Sequence, residues 1–346
     1  MTKAATAAAR PFDPFASKRR GVGIVLSIVL LGAIILSLGM GAVTIAPGEV
    51  LGVIARKIGL TTRVEPSIQA QAVVWSIRLP RALMGVVTGA ALALTGVVLQ
   101  GVFRNRMADP QLLGIGPGAS LGGVVGAVAG AASGAIAGGA VAGMLTALVV
   151  RRLGARGANQ PSRFILTGVA LSAALSAWVG FVVFGADRAK VPPIEFWLLG
   201  SLSGSTWGAL ATATMLIALG ALGLWTGART LDLMALGESE ARHLGVDVDF
   251  ATTILLMGVG IVTGAAVGAV GVIGFVGLLT PHLVRKLTGP AHRPLMLGSM
   301  LGGGLFVVLT DLASRTLFSP IEIPVGLVTA VFGGPFFLWM IRKARY

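Results

Sequence analysis

From Gln111 to Val150 the chain runs 40 residues without a charged side chain, and from Gly21 to Thr44 it runs 24. A helix crosses the roughly 30 Å of bilayer hydrocarbon in about 20 residues. Ten such apolar stretches occupy the 346 residues, and the charges gather in the gaps between them. This pattern excludes a water-soluble domain and predicts an all-α integral membrane protein. Barrel strands would instead show segments of about 10 residues alternating in polarity, and no such alternation occurs.

The predicted spans lie near 21–44, 82–103, 111–131, 134–150, 164–186, 208–228, 250–269, 270–285, 294–313 and 324–341. Residues 250–281 form one charge-free run of 32, long for one crossing and short for two. Hydropathy alone therefore allows nine spans or ten. Parity favours ten, because both ends of the chain are basic and basic residues stay on the cytoplasmic side. With ten spans, 19 of the 27 Lys and Arg fall inside and 8 outside. The expected organisation is a cytoplasmic tail, residues 1–20, and one ten-helix membrane domain, residues 21–346, with both termini cytoplasmic. The first span is read as retained, since it is too long for a signal peptide.

The net charge of +14 is read as orientation in the bilayer, not as a nucleic-acid surface. There is no cysteine, so thiolate chemistry and disulfides are excluded. His243, His282 and His292 have no metal-ligand spacing. Glycine, 51 residues in all, falls largely inside apolar stretches and implies close helix crossing. Thr88-Gly-Ala-Ala with Gly96 echoes Thr263-Gly-Ala-Ala with Gly271, an internal repeat pairing span two with span seven. A second echo, Leu113-Gly114 with Leu297-Gly298, pairs span three with span nine instead. Asp311 and Arg315, four apart, form a self-neutralising pair near the outer end of span nine. Arg188 and Lys190 read as an outer loop.

Few ionisable groups lie within the spans, so driving energy is expected from another subunit. No GxxxxGK[ST] pattern occurs, which excludes the usual P-loop ATPase in this chain. Between spans six and seven, residues 230–249 form an amphipathic cytoplasmic segment in which Leu233, Leu236, Ala241 and Leu244 share a predicted face while Glu238, Glu240 and Arg242 stay wet. The acidic residues oppose anionic headgroups, so a cytosolic protein groove is the expected cover.

Seven blocks, in order, carry a family resemblance: Arg78-Leu-Pro-Arg81; Gln100 with Arg104-Asn-Arg-Met-Ala-Asp-Pro110; Leu112 to Ala119; Phe196 to Leu202 with Trp207; Leu236 to Gly245; Gly274 to His282 with Arg285; and Pro324-Val-Gly326 with Gly334-Pro-Phe336. From about Ile45 onward the chain resembles the permease subunits of type II ABC importers, the FecCD-like group that moves iron–siderophore complexes, haem and cobalamin. The resemblance implies a homodimer served by two ATPase subunits, which bind ATP and Mg, and by a periplasmic or lipid-anchored binding protein. It implies no cofactor on this chain and no enzymatic activity. It places ATPase coupling at Leu236, Gly237, Glu238, Ala241, Leu244 and Gly245, binding-protein docking at Arg78, Arg81 and Arg315, and a cytoplasmic gate at Asn105, Met107 and Ser162. At the gate the usual Asn-Pro-Leu-Ala reads Asn105-Arg-Met-Ala108, where arginine replaces a stiffening proline. The expected cargo is an iron chelate, siderophore or haem, with cobalamin the alternative. A secondary carrier working without ATP is the competing class, and a membrane enzyme lacks an acid, base or metal set.

Overall fold

A computed structural model describes residues 15–41, 43–60, 65–130, 132–154 and 160–343. The described chain is helical with no strand. α1 (Ala16–Gly39) is followed by the short outer helices α2 (Pro47–Lys57) and α3 (Ile68–Gln71). α3 continues through a π-helical stretch, Ala72–Arg78, into α4 (Leu79–Val102), giving one rod of 35 residues. Then come α5 (Ile115–Val128), α6 (Ala132–Gly154), α7 (Gln160–Phe184) and the short α8 (Val191–Leu198). α9 (Trp207–Thr226) leads to two small helices, α10 (Ala228–Met234) and α11 (Glu238–His243). α12 (Val248–Val270), α13 (Val276–Thr288), α14 (His292–Thr316) and α15 (Val325–Lys343) complete the fold. α1 begins at Ala16, within the stretch expected as tail.

Each of the ten expected stretches corresponds to one of these helices. Seven are long and apolar enough to cross a membrane by themselves: α1, the 68–102 rod, α6, α7, α9, α12 and α14. α5, α13 and α15 are shorter. Thr206 and Asp247 cap α9 and α12 through their side-chain oxygens, which accept from Ala209 N at 3.2 Å and Phe250 N at 3.0 Å.

The ambiguous run 250–281 resolves into α12, a non-helical stretch and the first half of α13. α12 breaks at Gly271, whose φ of 73° suits glycine. Residues 271–275 then descend through the bundle before α13 opens beside Gly96 of α4 and Gly333 of α15. Thirteen helical residues rise only about 20 Å, so the non-helical residues 271–275 are needed to complete one crossing. The expected span 270–285 is therefore corrected to a half-extended crossing. Backbone of this kind survives in a membrane only when protein surrounds it. Here Gly326 N donates to Gly200 O at 3.2 Å and Ser201 N to Val270 O at 2.8 Å.

Glycine sets the closest crossings. A Cβ at Gly89 of α4 would overlap the Gly303 carbonyl of α14, and one at Gly264 of α12 would overlap the Gly139 carbonyl of α6. α13 crosses α4 at Gly277 and Gly96, as α5 approaches α12 at Gly123 and Gly268. The two halves thus repeat the order long, short, long, with α4 matched to α12 and α14 to α6. This agrees with the echo between spans two and seven and not with the one between spans three and nine.

The described chain ends share one end of the bundle with α10 and α11. Arg19 Nε donates to Thr288 O at 2.8 Å, and Lys286 lies 5.7 Å from the ring centroid of Trp339. We call this the inner end and the opposite one the outer end.

Candidate functional site: two faces of a membrane bundle

At the inner end, α10 and α11 form a small folded platform. Met234, Ala241 and Val248 are buried together as its own core, with Val246 packed against them. Gly237, at φ 128°, and Gly245, at φ 85°, turn the chain at either end of α11. Leu236 and Leu244 are exposed to 64% and 57%, and Glu238 is also exposed. The single face expected for Leu236, Ala241 and Leu244 is therefore corrected. The break at Gly237 ends the helical period, so Ala241 faces inward while the two leucines face away from the chain. Arg242 Nη2 and Arg151 Nη2 both bind the Asp249 carboxylate, at 2.8 and 2.6 Å. Arg242 is consequently held above its ordinary pKa, first by its hydrogen bond to Asp249.

The neighbouring loop closes α4. Arg104 N donates to Gly101 O and Asn105 N to Gln100 O, both at 3.2 Å, the double bond pattern of a Schellman cap. Arg104 occupies its left-handed position, at φ 48°, where glycine is usual. Asn105 Oδ1 accepts from Met107 N at 2.9 Å, so the side chain of the predicted gate residue rigidifies its own turn without the family's proline. Asn105 is exposed and Met107 half-buried. Ser162 lies in the first turn of α7, and its side chain falls outside the described residues.

Two buried polar groups lie behind this loop. Gln100 Nε2 donates to Gly277 O at 3.0 Å while its Oε1 accepts from Arg285 Nη2 at 3.0 Å, joining α4 to α13. The Asp109 carboxylate accepts from Gln111 N at 2.8 Å. Its burial pushes its pKa up to about 6. The family blocks contain both residues, but only the fold shows what they bind.

At the outer end, Arg78, Arg81 and Arg315 come together as a cluster, though they are 237 positions apart at the extremes. Arg315 donates to Ser37 O at 2.6 Å and Met40 O at 3.1 Å, and Arg78 to Leu38 O at 2.7 Å and to Val43 O. The Ser37 and Leu38 carbonyls left open at the C-terminus of α1 are thereby satisfied, as are those of Met40 and Val43 just beyond it. Arg81 binds Asp311 at 2.8 Å and Glu322 at 3.0 Å, and Asp311 also meets Arg315 at 3.4 Å. The three arginines are buried, in contrast to the exposed positions their docking assignment implies. The sequence foresaw the Asp311–Arg315 pair but not Glu322 or the α1 carbonyls, which lie far away in the chain.

Also at the outer end, a cavity of about 660 Å³ opens beneath α8, lined by Lys190, Trp197, Ser201, Ile136 and Gly268 among others. Lys190 Nζ donates to Val128 O at 2.9 Å and so caps α5. Trp75 and Trp207 pack with tilted rings, centroids 5.1 Å apart, near the same end, with Lys57 over Trp75. Among the described residues there is no cluster of metal-ligating side chains.

A bundle with a half-extended crossing, a leucine-tipped platform at one end and an arginine cluster at the other is the architecture of a membrane permease. Residues 29–343 match the FecCD transport family, and the chain belongs to that family. It is 40% identical over 79% of its length, and 74% of the relative's, to the cobalamin import permease BtuC of Halobacterium salinarum. It is 39% identical to the hemin transport permease HmuU of Yersinia pestis, covering 79% of this chain and 84% of that one. The vitamin B12 import permease BtuC of Citrobacter koseri matches at 34% over 92% and 93% of the two chains. A solved transporter assigned to the metal-chelate type of ABC transporter, in an inward-facing conformation, superimposes with a TM-score of 0.78 at 30% identity, covering 94% of this chain and 99% of that one. The protein is thus a multi-pass ABC importer permease with the type II fold, and in such systems ATP hydrolysis belongs to a separate subunit.

Proposed function

We propose that this permease carries an iron chelate, siderophore or haem from an extracytoplasmic binding protein to the cytoplasm, driven by two ATPase subunits that hold ATP and Mg. The observation that carries the reading is the platform of α10 and α11. It spends its own small core on Met234 and Ala241, yet leaves Leu236 and Leu244 bare at the inner end. Two bare leucines beside acidic side chains fit a protein groove better than an anionic lipid surface. Polar replacement of both leucines is expected to abolish ATPase association and uptake; intact association would sink the assignment.

At the outer end the cluster holds three guanidinium groups against the carboxylates of Asp311 and Glu322. The excess positive charge suits acidic groups on a docking lobe, and the half-exposed Glu322 is the partner they would displace from Arg81. Two copies of the chain meeting through bare faces such as that of α7, where Trp178, Phe181 and Phe184 are exposed, would form the pathway on their shared axis. The inner membrane, with both termini cytoplasmic, is the corresponding placement.

Cobalamin is the competing cargo, favoured by relatives named for it at 40% and 34% identity. Binding of haemin, ferric siderophores and cobalamin to the partner binding protein decides between them. Tight binding of cobalamin alone would overturn the iron-chelate reading.

A further inference from the structure

Besides the packing of Leu231 in the main core and of Val248 of α12 in the platform core, two unequal polar contacts join the platform to the bundle. Its α11 side is held by Arg242 and Asp249, whose side chains are 52% and 63% exposed. A pair so wet is worth little and is screened by salt. The α10 side is held by Asp232, one oxygen of which accepts both the backbone N–H of His292 at 2.9 Å and its ring Nδ1 at 2.6 Å. His292 opens α14, whose N-cap residue Ala291 has no side chain that can cap it. Asp232 therefore caps α14 from another element.

A carboxylate only accepts, so Nδ1 carries a proton. Nε2 is buried without a partner among the described residues. It rests against Gly101 in the last turn of α4, where a Cβ would lie 2.7 Å from Nε2 and 3.1 Å from Leu231 of α10. The ring fills a slot between α4 and α10 that only glycine leaves open. From there α14 rises about 28 Å to Asp311 and about 35 Å to Arg315 in the outer cluster. One helix is thus gripped by the platform at its inner end and holds the arginines at its outer end.

We infer that Asp232 and His292 form the joint through which displacement of the platform reaches α14 and, through it, the outer arginine cluster. The inference rests on the proposed reading that the platform meets an ATPase. Both are positioning residues, since they act through α14.

The test uses the complete importer, permease with its ATPase subunits and binding protein, reconstituted in lipid vesicles. Association, ATP hydrolysis and cargo moved per ATP are measured for Asp232→Ala, Asp232→Asn and Gly101→Ala. With Asp232→Ala, association and hydrolysis are expected to persist while cargo per ATP falls about tenfold, within the usual range of coupling between sites. Asp232→Asn keeps the accepting oxygen and is expected to recover most of that ratio. Gly101→Ala leaves both partners in place but displaces the ring, and is expected to reproduce the loss. Unchanged cargo per ATP in both Asp232→Ala and Gly101→Ala overturns the joint. So does loss of ATPase association in Asp232→Ala, which would make the contact part of assembly. Failure of the platform reading itself would be visible separately, as persistent association after polar replacement of Leu236 and Leu244.

Discussion

Arg104 closes α4 in a backbone conformation that suits glycine, at φ 48°. Replacing it with glycine is expected to raise stability by about 1 kcal/mol, because the left-handed cost of an L side chain disappears. A higher thermal midpoint of the purified permease would verify it; an unchanged or lower one would show that the guanidinium compensates. Asp109 presents the opposite case, a carboxyl whose pKa burial raises from 3.8 to about 6. Between those values the folded state binds more protons than the unfolded one, so stability falls as pH rises through the window. Asp109→Asn keeps an oxygen for Gln111 N and removes the buried charge. It is expected to be more heat-stable than the parent at pH 8, by up to about 3 kcal/mol, with no advantage at pH 4. Melting curves at the two pH values decide. Neither trait was readable beforehand: the arginine at the cap and the burial of the aspartate depend on backbone angles and neighbours such as Gly277 that come from a distant helix.

At the scale of elements, the helices were legible and their interruptions were not. Charge-free runs located all ten, since a membrane admits few alternatives to a helix. The run 250–281 defeated hydropathy because extended and helical backbone can be equally apolar; only Gly271 hints at the break. In the segment 230–249 the apolar residues were expected on one face, and the fold separates them, because Gly237 resets the helical period. The glycine crossings carry a prediction of their own. Gly139→Leu would drive a side chain into the backbone of α12 at Gly264 and is expected to destabilise the permease by about 1–3 kcal/mol. The same change at Gly223, where added atoms meet open space, is expected to be nearly neutral. Equal thermal midpoints for the two variants would refute the close-crossing assignment.

For the whole molecule, the outer cluster and the inner platform are connected by α14, and the consequences differ by partner. Arg81→Glu is expected to weaken binding-protein docking, with a loss that grows as salt is lowered, and also to lower thermal stability, since it sets a third carboxylate beside Asp311 and Glu322. Arg78→Ala instead uncaps α1 and is expected to lower thermal stability. If both variants changed docking alike with no change in melting, the capping role of Arg78 would be wrong.

The sequence by itself determined membrane residence, an all-helical fold and the family, because apolar length and ordered motif blocks are local properties of the chain. It could not decide where the charges point. The three outer arginines were expected to face a partner, and the tertiary structure turns them inward onto the α1 carbonyls, Asp311 and Glu322. His292 showed no role in the sequence, and the fold buries it beneath Gly101 with Asp232 as its partner. In both cases the deciding contacts join residues tens or hundreds of positions apart, and a buried polar group takes its role from whichever neighbour satisfies it.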